Sequence, residues 1–173
     1  MIKKIDHGRI FFRSEFGEED KFSIARITSS SQCFSEKEVC VAVELIEERF
    51  VKGERSGYYF IFAEYPIEEK SGVLGYVCYG PDAGVEGSSS FHIYWIAVDN
   101  EYRNFGIGRF LLCEAEKAIK DKGGKHIYIE TSSRDIYIPA RAFYEKNGYL
   151  KEAVLRDFYG QGDDKVIYSK KIK

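Results

Sequence analysis

No stretch of this sequence approaches the ~18 consecutive apolar residues that a membrane-crossing helix needs, and the opening MIKKIDHGRI lacks the apolar core of a secretory leader. Neither a membrane partner nor an export signal is expected, and a reducing, cytoplasmic setting follows. Cysteine is sparse and scattered. Cys33, Cys40, Cys78 and Cys113 form no CxxC pair and have no His at ligand spacing, so a metal site is not expected. They are expected to serve mostly as small core hydrophobes. Only three prolines occur, and no repeat, low-complexity tract or proline-rich linker divides the chain. One domain over residues 1–173 is expected, with residues 1–20 left open as an arm or a strand. Excess charge of one sign is missing too. Lys plus Arg number 26 against 28 Asp plus Glu, a net charge of −2, so there is no electrostatic footprint for nucleic acid.

What is present suits a compact globular chain with a real core: 44% hydrophobic and 31% charged residues over 173 positions. The 13 Tyr and 13 Phe point to a sheet-rich interior rather than to stacking platforms. Residues 21–28, with Phe22, Ile24 and Ile27, read as a first strand. Ser35-Glu36-Lys37-Glu38 is a capping box. It opens a helix with a stripe of Val39, Val43, Ile46 and Phe50, stopped by Gly53. Residues 58–63 and 73–79 read as strands joined by a turn over 66–72, and 82–90 as a loop. A strand over 91–98, a helix over 107–122 and a strand over 125–131 follow. A short helix over 140–146 and a closing hairpin of 149–158 and 165–171 complete the order. The helix stripe comprises Ile107, Phe110, Leu111, Ala115, Ala118 and Ile119. The result is a mixed α/β sheet, neither doubly wound nor a barrel.

The chemistry concentrates in residues 94–109, YWIAVDNEYRNFGIGR. A strand ends, a short loop crosses, and Gly106 and Gly108 stand where a helix begins. Unpaired N–H donors and the partial positive charge of a helix N-terminus favour phosphate there. Glycine lets the backbone approach the anion and adopt φ > 0, while Arg103 and Arg109 supply charge-assisted donors. The Walker pattern GxxxxGK[ST] is absent, and GxGxxG lacks its third glycine. What remains is R-x-x-G-x-G after a hydrophobic strand.

That unit resembles the coenzyme A pyrophosphate loop of the GNAT superfamily of N-acetyltransferases. Two further segments match in order. One is Tyr128-Ile129-Glu130-Thr131-Ser132-Ser133. The other is Pro139-Ala140-Arg141-Ala142-Phe143-Tyr144-Glu145-Lys146-Asn147-Gly148-Tyr149, similar to A-x-x-F-Y-E-K-x-G-[FY]. The likeness covers residues 73–171 well and 1–70 only by element order. It implies an α/β (α+β) fold with a mixed, mostly antiparallel sheet of about six to seven strands, flanked by helices and splayed around the acyl-CoA site. It also implies acetyl-CoA as acyl donor, an amine acceptor, direct attack on the thioester, and pairing into homodimers as the superfamily often does. Cofactor contacts would come from Ile96, Ala97 and Val98 as an added-strand partner for pantetheine, from Arg103, Asn104, Phe105, Gly106, Ile107, Gly108 and Arg109, and from Thr131 and Tyr144. Tyr137 stands where relatives often carry an Asn that contacts coenzyme A, which is a departure.

The reaction needs a neutral amine, a stabilised oxyanion and a proton for the thiolate. By resemblance Tyr144 is the proton donor, and Glu130 or His92 is the base, directly or through one water chain. The alternatives are structural: a packed tyrosine, a hydrogen-bonded strand carboxylate and a satisfied sheet histidine. Cys78 has a remote reading as an acyl carrier and Cys113 reads as helix packing. Asp163 and Asp164 could attract a cationic amine or simply solvate a turn. By resemblance the acceptor cleft is lined by residues 35–55 and 155–165. A catalytically silent acyl-CoA sensor is the competing function.

Overall fold

The computed structural model describes residues 5–67, 70–82 and 89–172. The strands are β1 (Phe11–Arg13), β2 (Tyr59–Ile67), β3 (Lys70–Pro81), β4 (Ser90–Val98), β5 (His126–Ser132), β6 (Leu150–Gly160) and β7 (Asp163–Lys171). The α-helices are α1 (Asp20–Ser30), α2 (Glu36–Lys52), α3 (Ile107–Asp121) and α4 (Ile138–Lys146). Seven strands form one sheet in the order β1-β2-β3-β4-β5-β7-β6. β4 and β5 run parallel, as a strand pair joined through a crossover helix must. The pairs β1–β2, β2–β3, β5–β7 and β6–β7 are antiparallel.

The chain divides into two compact units, residues 1–79 with 95–115, and 80–94 with 116–173. In the first, α1 and α2 lay Ile24, Ile27, Ala42 and Ile46 against Phe60, Phe62, Tyr76, Cys78 and Ala97. The Thr28 hydroxyl donates to the Ile24 carbonyl at 2.7 Å. The Tyr76 hydroxyl, 2.6 Å from Thr28 Oγ1, therefore donates to it. Burial pushes this phenol well above its ordinary range. Arg13 joins β1 to its surroundings through Asp20 and Glu64 at 2.5 and 2.6 Å, so two nearly buried carboxylates share one cation. In the second unit, Tyr149 donates to Glu116 at 3.1 Å, and Lys170 reaches both Glu116 oxygens and the Asn147 carbonyl.

Several sequence expectations need correction. Residues 21–28 form helix, not strand. Asp20, Ile24, Ile27 and Thr28 are the buried positions of α1, a spacing of four, three and one that only a helical face produces. Phe22, which suggested alternation, is 62% exposed. Residues 7–13 comprise a short 3-10 helix (His7–Arg9) and then β1. The capping box at Ser35 is formed as expected and Gly53 ends α2 at φ 58, but Phe50 is exposed and Ala42 takes its place in the core. Leu112 joins the α3 core while Phe110 is partly exposed. β2 and β3 extend further than expected, leaving only residues 68–69 between them, and those lie outside the described residues, as does most of the 82–90 loop. Pro66 is tolerated within β2 because β1 pairs only with residues 62–64. Of the cysteines, only Cys78 is buried, and Cys40 and Cys113 are exposed, contrary to the core role expected of most of them.

Gly75 connects this packing to the end of β4. A Cβ there would stand 2.8 Å from the Ala97 carbonyl oxygen, with the Leu111 and Val98 side chains at 3.1 and 3.2 Å, and backbone cannot yield as a flexible side chain can. Gly75→Ala is expected to cost about 1–3 kcal/mol in urea unfolding. Gly17→Ala, where a Cβ meets nothing, serves as the near-neutral control. Equal midpoints for the two variants would refute the close-approach argument.

Candidate functional site

Asp99, 6% exposed, turns the chain at the end of β4. Its N–H donates to the Leu74 carbonyl at 2.8 Å, continuing the sheet one residue past Val98. Its side chain then caps the 3-10 turn Asn100–Tyr102 by accepting from the Glu101 N–H at 3.0 Å. Its other oxygen takes the Arg26 guanidinium. Arg26 also donates to the Val73 carbonyl at 2.8 Å, and Ser30, one turn further along α1, accepts from the Asn100 N–H at 3.1 Å. Helix α1, β3 and the end of β4 are thereby tied to one carboxylate.

Beyond this anchor the backbone is left open. Asn104 and Gly106 sit at φ 66 and 76, and the first bond of α3 runs from the Phe110 N–H to the Gly106 carbonyl. Among the described residues, the N–H groups of 104–109 have no backbone or side-chain acceptor. These donors lie at a helix N-terminus. Arg103 and Arg109 are exposed and make no ion pair among the described residues. Phe105 and Gly108 are half-buried and Ile107 is core. The sequence-expected loop residues thus form one turn and helix start with open N–H groups and two exposed arginines, the chemistry that favours an anion. Just before it, Ala97 is buried while Ile96 and Val98 are half-buried. The β4–β5 ladder covers Ser90–Ile93 against His126–Ile129, and both strands continue past its end.

The remaining candidates lie in the second unit. His92, opposite Tyr128 in the ladder, stacks on Tyr94 at a ring separation of 5.8 Å and lies tilted against Tyr128 at 5.7 Å. Its Nε2 is 3.8 Å from Asp82 Oδ1, beyond hydrogen-bond range. Strand alternation puts Glu130 on the same face as Tyr128. The Glu130 carboxylate is engaged, with Lys165 Nζ 2.5 Å from its Oε2. Thr131 is buried on the opposite face. Tyr144 is 8% exposed, packed by Phe143, Tyr149 and Tyr168. Burial, with Tyr137 and Tyr168 nearby, pushes its phenol well above the ordinary range, so it stays protonated and can donate.

Other sequence readings resolve on the same geometry. Asp163 accepts from Ser132 Oγ at 2.5 Å and pairs with Arg134 at 3.1 Å. Asp164 accepts from the Asp157 N–H, and its own N–H donates to Ser133 Oγ. Both are structural clamps of the β6–β7 turn rather than solvated charges. Burial pushes the Cys78 thiol up, leaving it protonated and enclosed, unfit as an acyl carrier. Tyr137 is buried just ahead of α4, with Arg134 over its ring. The sequence reading missed Arg26, Asp99, Ser30 and Gly75. An Asp immediately after an apolar strand and before a turn was the available signal for Asp99. Nothing local pointed to Arg26, whose partner lies 73 positions away.

Comparison with known proteins places this arrangement. The profile of the Acetyltransferase (GNAT) family matches residues 24–149. A GNAT-family crystal structure from Desulfovibrio desulfuricans is 36% identical, with a TM-score of 0.88, covering 95% of this chain and 99% of that one. An N-alpha-acetyltransferase of Saccharolobus solfataricus is 38% identical over 80 residues, 46% of this chain and 47% of the relative. The chain therefore spans about half the length of the curated relatives it matches first. An aminoglycoside 6'-N-acetyltransferase solved with coenzyme A shares the fold at 17% identity and a TM-score of 0.70, covering 94% of this chain and 97% of that one.

The anchor is testable without any ligand. Asp99→Ala removes a cap and an ion pair together and is expected to cost about 1–3 kcal/mol. Arg26→Ala should cost less, because the Arg26 side chain is 51% exposed and its pairing is screened. Urea unfolding ranks the two, and hydrogen exchange of the bonded amides of residues 100–103 should accelerate in Asp99→Ala. A loop that exchanges at the wild-type rate in that variant would show that Asp99 does not hold it.

Proposed function

This chain belongs to the acetyltransferase (GNAT) family, and from that premise we propose that it moves an acetyl group from acetyl-CoA to a primary amine by direct attack on the thioester. The observation that carries the reading is the open run of N–H donors at 104–109, flanked by Arg103 and Arg109. These residues bind the pyrophosphate of coenzyme A. The backbone of Ile96, Ala97 and Val98 lies alongside pantetheine in the manner of an added strand, and a backbone N–H there faces the developing oxyanion. Thr131 is a further cofactor contact.

Tyr144 donates its proton to the departing thiolate. What supports this role is the match of Phe143-Tyr144-Glu145-Lys146 to the family's tyrosine segment and an enclosed phenol that is protonated near neutral pH. For the base, His92 is favoured over Glu130. Its Nε2 has no partner within hydrogen-bond distance in the Asp82 pair, whereas the carboxylate of Glu130 is engaged by Lys165. An alkylammonium with a pKa near ~10 must lose its proton before attack, and an imidazole, directly or through water, takes it. Among acceptors, α-amines of peptides and proteins come first for testing, because the archaeal relatives are N-alpha-acetyltransferases. Small amines and free amino acids follow. A cytoplasmic setting suits the exposed thiols of Cys40 and Cys113.

A thiol-release assay over a panel of amines tests the activity. Coenzyme A binding without turnover on any amine would replace the proposal with that of a sensor. Tyr144→Phe keeps the ring packing and should lower kcat by roughly 100-fold, with little change in acetyl-CoA affinity. Unaltered kcat would remove Tyr144 from the proton-donor role. Gly106→Val puts a β-branched residue at φ 76, at a strain of about 1–3 kcal/mol. It should abolish acetyl-CoA binding in calorimetry while circular dichroism remains that of the wild type. Full-strength binding would overturn the loop assignment.

A further inference from the structure

The β6–β7 hairpin contains an irregularity that the reaction as described does not require. Its register passes from Leu155↔Lys165 to Gly160↔Asp163, so residues 156–159 bulge out of the ladder. Asp157 sits at φ 52, an uncommon conformation for a residue with a Cβ. Two hydrogen bonds hold it there. Its N–H donates to Asp164 Oδ1 at 2.9 Å and its carboxylate accepts from the Gly162 N–H at 2.6 Å. The bulge sets the Phe158 ring 3.7 Å from Lys165 Nζ, with Tyr159 at 5.7 Å. The same ammonium lies 2.5 Å from Glu130 Oε2, and the Lys165 side chain is only 13% exposed.

A carboxylate and an aromatic face converging on one point make a seat for an alkylammonium. Here the chain's own lysine fills it. Register explains the meeting. Lys165 lies opposite Ser132 on β5, so Glu130, two residues along, shares its face, and the His92↔Tyr128 pair puts the imidazole on that face too. A seat for an ammonium and a group able to take its proton thus share one surface of the second unit.

We propose that Lys165 is a tethered competitor for the acceptor amine. Its ammonium occupies the place between Glu130 and Phe158 that the acceptor's ammonium takes, and the acceptor must displace it. The inference rests on the amine-acceptor reading above. The exchange is feasible because lysine's stem is flexible and the Glu130 side chain is 38% exposed, which screens the pair. A tethered group acts at an effective concentration on the order of millimolar. Only an amine with further contacts on the enzyme outcompetes it, so Lys165 enforces selectivity against simple amines.

The test separates binding from turnover. n-Butylammonium chloride is titrated into the full chain without acetyl-CoA, and the ring signals of Phe158 and Tyr159 are followed by NMR. Lys165→Met is expected to tighten binding of this probe about tenfold and to lower the KM for an accepted amine by a similar factor. Lys165→Arg, which keeps a cation, should bind the probe no more tightly than wild type. Adding Glu130→Gln to Lys165→Met should remove the gain. Probe binding in Lys165→Met equal to or weaker than wild type overturns the inference, as does a raised KM, which would mark Lys165 as a structural or substrate-holding residue. If the chain acetylates no amine, yet Lys165→Met still tightens the probe, the ammonium seat stands and the acetyl-transfer reading falls.

Discussion

Asp99 stands where the sheet ends and the glycine-rich turn begins, and the loop depends on how that carboxylate distributes its hydrogen bonds. A chain leaving a buried strand must satisfy its backbone groups at once or forfeit stability. Asp99 satisfies them inward, to Leu74, to Glu101 and to Arg26. The donors of 104–109 can therefore stay open outward. An anion-binding loop needs both conditions: a rigid support beneath and unsatisfied N–H groups above. Gly75 serves the same end from below, because any side chain there would push against the Ala97 carbonyl.

The second unit solves a different problem, that of housing polar side chains in and around a packed interior. Its interior is rich in tyrosine, and burial pushes the Tyr144 phenol up. Burial pushes Tyr168 up to about 12, with Glu145 adding to the effect. Three carboxylates of this unit are paired: Glu116 with Lys170, Asp163 with Arg134, and Glu130 with Lys165. Of these three carboxylates, Glu130 is the one whose side chain is most exposed.

Much of this was legible before folding. β4 and α3 were read nearly to the residue because an apolar strand followed by a stripe of period 3.6 leaves little ambiguity. The capping box at Ser35 was equally clear, being a local pattern that acts locally. The α1 segment was misread because a short apolar set fits two periods, and only packing showed Ile24 and Ile27 on one helical face. The cysteines were misjudged for the related reason that burial is a property of the fold, so Cys78 and Cys113 differ although both sit among apolar neighbours. The Asp163–Asp164 turn read as solvent-facing, since Ser132, Ser133 and Arg134 lie about thirty positions upstream.

The glycine turn at the start of α3 belongs to what the sequence determines alone. Glycines that take positive φ, arginines beside them and a helix start are written within a few residues, and their physics is local. So are the positions of His92, Glu130 and Tyr144 along their elements. Which of these groups is free, paired or held neutral was decided only in three dimensions. Lys165 reaches Glu130 across a strand register, and Arg26 reaches Asp99 from a helix seventy-three positions earlier. Electrostatics and desolvation depend on distance and burial, which no local pattern in the chain encodes.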